Sequence, residues 1–363
     1  MYRTILVPLD GSLIAERVLP FVQTLARASG GRIVLVRAAL ESPSDGTDSA
    51  EERRAAMRES EEYLQMTAAQ LDADVDVETA AYYGEAAEVI LQQARERNVD
   101  LVVMSTHGRS GLGRWIYGSV ADRVMRHAEV PVMLIPAGCE CVWPTERAFR
   151  ILVPLDGSDF AEEALRPARD LARMLSAELY LLRVVEPSSY ARLGGYPYLV
   201  FDPEADLAAA RRYLEGIAGR LRSEGLAVEV RSVIGPPALM IATLAREQHA
   251  NAVVIATHGT GGLSRLVMGS VATGLFQRST VPIVIVRPSA IRQASSLPEV
   301  IDAEERYNGP PISLVVTPLE LNLLEDGLEK LLESRDHEQS ETDVRRLLSR
   351  IQKTEAPAYA ASP

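Results

Sequence analysis

The chain has 363 residues, 47% of them hydrophobic, and its 38 Lys and Arg stand against 50 Asp and Glu for a formal net charge of −12. That length fits two domains of about 150 residues with true apolar cores, and the acidic balance excludes binding along nucleic acid, which requires many cations to neutralise phosphates. No apolar run approaches the roughly 18 residues of a membrane span, and Met1-Tyr2-Arg3 leads straight into a strand rather than a signal peptide, so a soluble cytoplasmic protein without membrane contact is expected.

In chain order, Ile5 to Leu9, Ile33 to Val36, Asp74 to Thr79, Leu101 to Met104 and Val132 to Ile135 are short apolar or β-branched runs that read as strands. Between them, apolar positions at three- and four-residue spacing predict helices over Ser12 to Ser29, Ala50 to Leu71, Glu85 to Arg97 and Ser119 to His127. Ser12 stands at a helix N-cap position, as does Ser158 further on. Cys139 to Phe149, with Pro144, reads as a linker. Its two cysteines, Cys139 and Cys141, are too few for a disulfide framework and read as linker residues, with redox or metal chemistry as the alternative. The strands then recur at Ile151 to Leu155, Glu178 to Val184, Ala227 to Val233, Ala252 to Ala256 and Ile283 to Val286, interrupted by a Pro-, Gly-, Ser- and Tyr-rich surface loop from Glu186 to Pro203. Continuous apolar strands joined by helices predict an α/β fold in which each repeat is a doubly wound, Rossmann-like sheet of five parallel strands, ordered 3-2-1-4-5. The domains are 1–138, a linker 139–149, 150–288, and an acidic extension 289–363 holding 8 Lys/Arg and 14 Asp/Glu, a net charge of 8 − 14 = −6. The extension reads either as a dimerisation or partner-docking arm or as a partly disordered tail with marginal helices.

Two phrases repeat. Thr4-Ile-Leu-Val-Pro-Leu-Asp-Gly-Ser12 returns as Arg150-Ile-Leu-Val-Pro-Leu-Asp-Gly-Ser158, 146 residues on. Ser105-Thr-His-Gly108, nine residues and Gly118-Ser-Val-Ala121 return as Ala256-Thr-His-Gly259, nine residues and Gly269-Ser-Val-Ala272, 151 residues on. In the predicted strand order, Asp10 and the Ser105 to Gly108 segment face each other across the crevice beyond the strands' carboxyl ends, where such sheets bind ligands. Gly118-Ser119 opens the next helix, whose amides, serine hydroxyl and positive dipole end suit a phosphate. The dipole contributes only about 0.3–1 kcal/mol for an exposed charge, so several amide hydrogen bonds must supply most of the binding.

Asp10 and Asp156 repel phosphate and make better sense as acceptors for a ribose or adenine donor, as metal ligands, or as caps of their own turns. Arg109, Arg114 and Arg265 lie in the glycine loops, where each either assists an anion or is a solvated surface charge. His107 and His258 have no acid paired by spacing, no nucleophile motif and no metal cluster beside them, which favours loop-shaping roles over catalysis. Trp115 reads as core-facing. Lys330 and Lys353 are the only lysines, so neither repeat can hold a Walker P-loop or a Schiff-base lysine.

The paired phrases resemble the universal stress proteins in their tandem form. The resemblance covers about residues 2 to 137 and 149 to 288; the head and tail phrases match at four places in all, and the spacing of the signature Gly-x2-Gly-x9-Gly-Ser/Thr is kept in both copies, Ser105-x2-Gly108-x9-Gly118-Ser119 and Ala256-x2-Gly259-x9-Gly269-Ser270. For the nucleotide-binding branch it implies ATP with Mg²⁺. Pro8, Asp10 and Ala38 would then meet the adenosine and Ser105, Gly108, Gly118 and Ser119 the phosphates. In the second copy these become Pro154, Asp156 and Val184, then Ala256, Gly259, Gly269 and Ser270. The signature's first glycine is replaced by Ser105 and Ala256, which brings side chains close to the phosphates.

A stress-response sensor that binds adenine nucleotide in both repeats is therefore expected. The alternatives are a protein-interaction scaffold that binds no nucleotide, and a slow ATPase whose hydrolysis is at most weak. The fifth strands, Val130 to Pro136 and Val281 to Arg287, would be exposed apolar edges unless paired, which predicts a pseudo-two-fold dimer of repeats within one chain. A homodimer and a protein partner of unknown identity are further expectations.

Overall fold

Thr4–Pro8 form the first strand, β1, of the computed structural model, which describes residues 2–39, 50–106, 118–139, 141, 143, 148–186, 202–257 and 269–288. After β1 come α1 (Leu13–Glu16), α2 (Leu19–Ser29), β2 (Arg32–Ala38), α3 (Ala50–Ala68), β3 (Asp76–Tyr82), α4 (Ala86–Glu96), β4 (Leu101–Ser105), α5 (Ser119–His127) and β5 (Val132–Ile135). The second repeat runs β6 (Arg150–Pro154), α6 (Asp159–Glu162), α7 (Leu165–Leu175), β7 (Glu178–Val185), α8 (Pro203–Ser223), β8 (Val228–Ile234), α9 (Pro237–Glu247), β9 (Ala252–Ala256), α10 (Ser270–Phe276) and β10 (Ile283–Val286).

The helix expected over Ser12 to Ser29 is two helices. Ser12 caps the first, its Oγ accepting from the Ala15 N–H at 3.1 Å. The chain turns at Arg17 and Val18 and restarts with Pro20 in the first turn of α2. Proline has no N–H to continue a ladder but fits a first turn, so the restart falls where Pro20 is tolerated. Gly30, with φ 58°, ends α2 in the left-handed conformation that glycine adopts without cost.

The strands lie in one sheet of ten, ordered β3-β2-β1-β4-β5-β10-β9-β6-β7-β8. Each half keeps the expected 3-2-1-4-5 order with parallel neighbours. The two halves are not separate sheets, however, because β5 and β10 pair antiparallel, with Met133 opposite Val284, Leu134 opposite Ile283 and Val132 opposite Ile285. The pairing of repeats through their fifth strands is thus as expected, and it removes both apolar edges. Alternate residues of each strand serve opposite faces. Ile5, Val7, Ile33 and Leu35 join a core with α2, α3, α7 and α8, while Leu6, Val34 and Val36 join a core with α4, α5, α9 and α10. Trp143 of the linker stacks edge-on between Phe21 at 5.1 Å and Phe149 at 5.4 Å, and its indole N–H donates to the Asn251 carbonyl.

The described residues all belong to one compact unit. The extension 289–363 and the loop core 187–201 lie outside the described residues, as do His107, Gly108, Arg109, Arg114, Trp115, His258, Gly259 and Arg265. Among the described residues, no helix is long and apolar enough to cross a membrane.

Candidate functional site

At the carboxyl ends of β1, β2 and β4 a cavity of about 580 Å³ opens between α3, α4 and α5. Six of the seven residues expected at the first site line it: Pro8, Asp10, Ala38, Ser105, Gly118 and Ser119. The seventh, Gly108, is outside the described residues. The walls are largely small and apolar, with Ala15, Ala39, Ala55, Ala56, Ile90 and Met104, and the charged groups are Asp10, Arg37, Glu52 and Glu59. This size is in the range of small-molecule sites, and the lining is of their kind, apolar with a few placed polar groups.

Asp10 follows β1, and its Oδ1 accepts from both the N–H of Ser12 at 2.9 Å and the Ser12 hydroxyl at 2.6 Å. Asp156 holds Ser158 in the same way, at 3.0 Å and 2.6 Å. The carboxylates therefore do cap their turns, and in the first repeat that turn sits on the cavity wall.

The backbone at the tail phrase differs from expectation in one respect. The Gly118 N–H does not face the cavity as a donor, because it is given to the Thr106 carbonyl at 2.8 Å, and the Gly269 N–H is likewise given to Thr257 at 2.9 Å. These bonds tie the two ends of each glycine loop together. The first bond inside α5 runs from the Asp122 N–H to the Gly118 carbonyl, and no side-chain cap satisfies the residues before it. Among the described residues, the amides of Ser119, Val120 and Ala121 at the head of α5 have no backbone acceptor, and all three residues line the cavity.

Sequence reasoning missed the cavity's far wall. Arg37, at the end of β2, lies over the Tyr63 ring at 4.8 Å and pairs with Glu59 at 3.4 Å, and the Tyr63 hydroxyl donates to Glu16 at 2.9 Å. Burial, then the bond to Glu16, raises the Tyr63 phenol above its usual range. The second repeat rebuilds this cluster with Arg183 over Tyr213 at 4.9 Å and the Tyr213 hydroxyl on Glu162 at 2.9 Å. The signal was available, since Arg37 and Arg183, like Glu16 and Glu162, are separated by the same 146 residues as the head phrases.

In the second repeat the expected residues occupy matching places. Pro154 ends β6, Asp156 follows it, Val184 is near the end of β7, Ala256 ends β9, and Gly269 and Ser270 open α10. The Arg183 guanidinium fills the space where a Cβ on Gly157 would sit, and Gly157 has a φ of +86°. Among the described residues no cluster of three or more His, Cys, Asp or Glu side chains is placed to hold a metal.

Sheet order, duplicated turns and a crevice at the strands' carboxyl ends define a tandem, doubly wound α/β protein of Rossmann-like design. The universal stress protein family matches it twice, over residues 1–136 and 148–287. The chain belongs to that family. It is 30% identical over 191 residues to a universal stress protein of Mycobacterium tuberculosis, covering 52% of this chain and 62% of that relative, so it spans less than two thirds of the mycobacterial protein's length. With the universal stress protein YxiE of Bacillus subtilis it shares 30% identity over 146 residues, 38% of this chain and 98% of YxiE. The crystal structure of a universal stress protein from Archaeoglobus fulgidus superposes with a TM-score of 0.58 at 22% identity, covering 78% of this chain and 96% of the other, a likeness of fold.

Proposed function

We propose that each repeat binds an adenine nucleotide, ATP with Mg²⁺, and that the protein acts as a nucleotide-dependent sensor in a stress response. One observation carries the reading: six residues from β1, β2, β4 and the head of α5, far apart in sequence, line a single cavity of about 580 Å³. Pro8, Asp10 and Ala38 would receive the adenosine. Ser105, Ser119 and the α5 amides would receive the phosphates, with Gly108 from the loop. The second site would use Pro154, Asp156 and Val184 with Ala256, Gly259, Gly269 and Ser270. With no three-ligand cluster among the described residues, Mg²⁺ fits this site as an ion carried mainly by the phosphates, a common mode for that cation. Association of two chains into a homodimer belongs to the same proposal.

Isothermal titration with MgATP, paired with a thermal shift, tests it. Heat of binding and a raised midpoint are expected; neither signal at millimolar ligand would retire the nucleotide reading. A scaffold without nucleotide is favoured by two observations, the internal bonds of the Gly118 and Gly269 amides and the side chains at Ser105 and Ala256. Partners captured equally with and without ATP would support that scaffold. Nucleotide left intact over hours with pure protein is the expected outcome for hydrolysis.

A further inference from the structure

The linker that leaves β5 carries both cysteines of the chain. A turn closed by the Cys139 N–H on the Pro136 carbonyl, at 2.9 Å, delivers Cys139 into the core beside the sheet. The turn is pinned on two sides: Arg17 donates to the Ala137 carbonyl, and the Ala137 N–H donates to the Thr106 hydroxyl at 3.3 Å. Cys139 is buried and Cys141 partly exposed, and the two free thiols hold their sulfurs 2.9 Å apart. That is about 1 Å beyond a disulfide bond length. Two thiols two residues apart have many ways to point away from each other; here a fixed turn and a packed core have brought them into contact.

We propose that Cys139 and Cys141 form a thiol–disulfide site, oxidised by a small hydroperoxide and restored by a dithiol reductant. The roles follow from the surroundings. The hydrogen bond shared with the Cys141 thiol holds the Cys139 thiol below its usual range, and the Cys141 amide and the Arg17 charge act in the same direction, against burial. The same contact, then burial, pushes the Cys141 thiol up. Cys139 is therefore the thiolate that reacts first, since the thiolate is the nucleophile. Its sulfur bonds to one peroxide oxygen, the O–O bond breaks, and the leaving oxygen takes a proton to give an alcohol, or water from hydrogen peroxide. The Cys141 sulfur then attacks the Cys139 sulfenic acid: the S–S bond forms, the S–O bond breaks, and hydroxide leaves with the Cys141 proton as water. Two thiols lose two electrons and the peroxide gains them. Exchange with the dithiol reductant returns both thiols and leaves that reductant as its disulfide.

Because the chain has two cysteines in all, any disulfide within one molecule is this one. The test is to treat the full-length protein with stoichiometric hydrogen peroxide, denature it, label it with N-ethylmaleimide and weigh it. The expected product carries no label and is lighter than the reduced chain by about two mass units, the two lost hydrogens, and dithiothreitol restores two labels. Cys141→Ser should stop at a Cys139 sulfenic acid captured by dimedone, whereas Cys139→Ser should yield no dimedone adduct on that timescale. Closure should be about tenfold or more faster in the folded protein than in urea, since the fold supplies the proximity. Two labels after peroxide, a disulfide formed only between chains, or equal rates folded and in urea would each overturn the proposal.

Discussion

Gly118→Ala separates binding from folding at the proposed phosphate end. Gly118 has φ −62° and ψ 154°, a conformation open to any L-residue, so alanine adds no backbone strain. The added Cβ would meet the Thr106 carbonyl oxygen at 3.6 Å, an ordinary contact. The reduced freedom of the unfolded chain, worth about 0.4–1 kcal/mol, is set against alanine's poorer fit at the N-cap of α5, so the variant should be close to neutral in stability. Gly118 lines the cavity next to the Ser119 to Ala121 amides, so a methyl added there should push a phosphate off one of them. A hydrogen bond to a charged group contributes about 1.5–3 kcal/mol, which is about 10- to 100-fold in affinity. Thermal denaturation of the variant should show a nearly unchanged midpoint. Titration with MgATP should lose the first site, and Gly269→Ala added to it should remove the second. A folded Gly118→Ala protein that binds both equivalents with undiminished affinity would refute the placement of the phosphates.

Ser105→Gly restores the family signature at the end of β4, where the side chain is buried on the cavity wall. It should tighten MgATP binding at a small cost in strand stability, read by the same titration and melt. Met133→Lys puts a cation where Met133 and Val284 face each other with no solvent exposure. An unpaired charge there should cost about 3–5 kcal/mol, visible as a lower urea midpoint and a larger hydrodynamic radius as the repeats loosen; unchanged values would count against the seam. Tyr2, Tyr63 and Tyr213 all have phenols raised above 10.0, chiefly by burial. A raised folded pKa means the fold holds the proton more tightly, so this stability is intact below about pH 10 and lost as pH climbs towards the folded values. Urea midpoints should hold up to about pH 10 and fall progressively above it, and Tyr63→Phe with Tyr213→Phe should shrink the fall.

Much of the architecture was readable because parallel strands covered on both faces must be apolar throughout. Ile33 to Val36 and Ile283 to Val286 stand out in the chain for that reason and fall inside β2 and β10. The seam was readable as a problem: two apolar edge strands, Val132–Ile135 and Ile283–Val286, that required partners. What stayed hidden is set by long-range packing. Periodicity placed α3 correctly but could not say that Ala55, Ala56 and Glu59 would wall the cavity, because both its exposed and buried faces look plausible until the sheet is in place. Nor could spacing reveal that the Gly118 amide spans a loop to reach Thr106. A glycine at a helix start advertises free donors, and only the fold shows which are already taken.

The β2-end arginines show how duplication makes hidden structure legible. An isolated Arg37 after an apolar strand is unremarkable as sequence, yet Arg183 holds the same place against the same tyrosine in the second repeat. The partners then diverge: aligned on Tyr63 and Tyr213, Glu59 corresponds to Ala209, so among the described residues the carboxylate that pairs with Arg37 has no counterpart for Arg183. The aromatic platform and its Glu16 or Glu162 acceptor are therefore common to both repeats, while the charge beside each arginine is not. Since an arginine paired to a carboxylate offers less of its charge to a ligand than one that is not so paired, the two sites share a frame but not an electrostatic setting, and the second should attract an anion more strongly through Arg183 than the first does through Arg37.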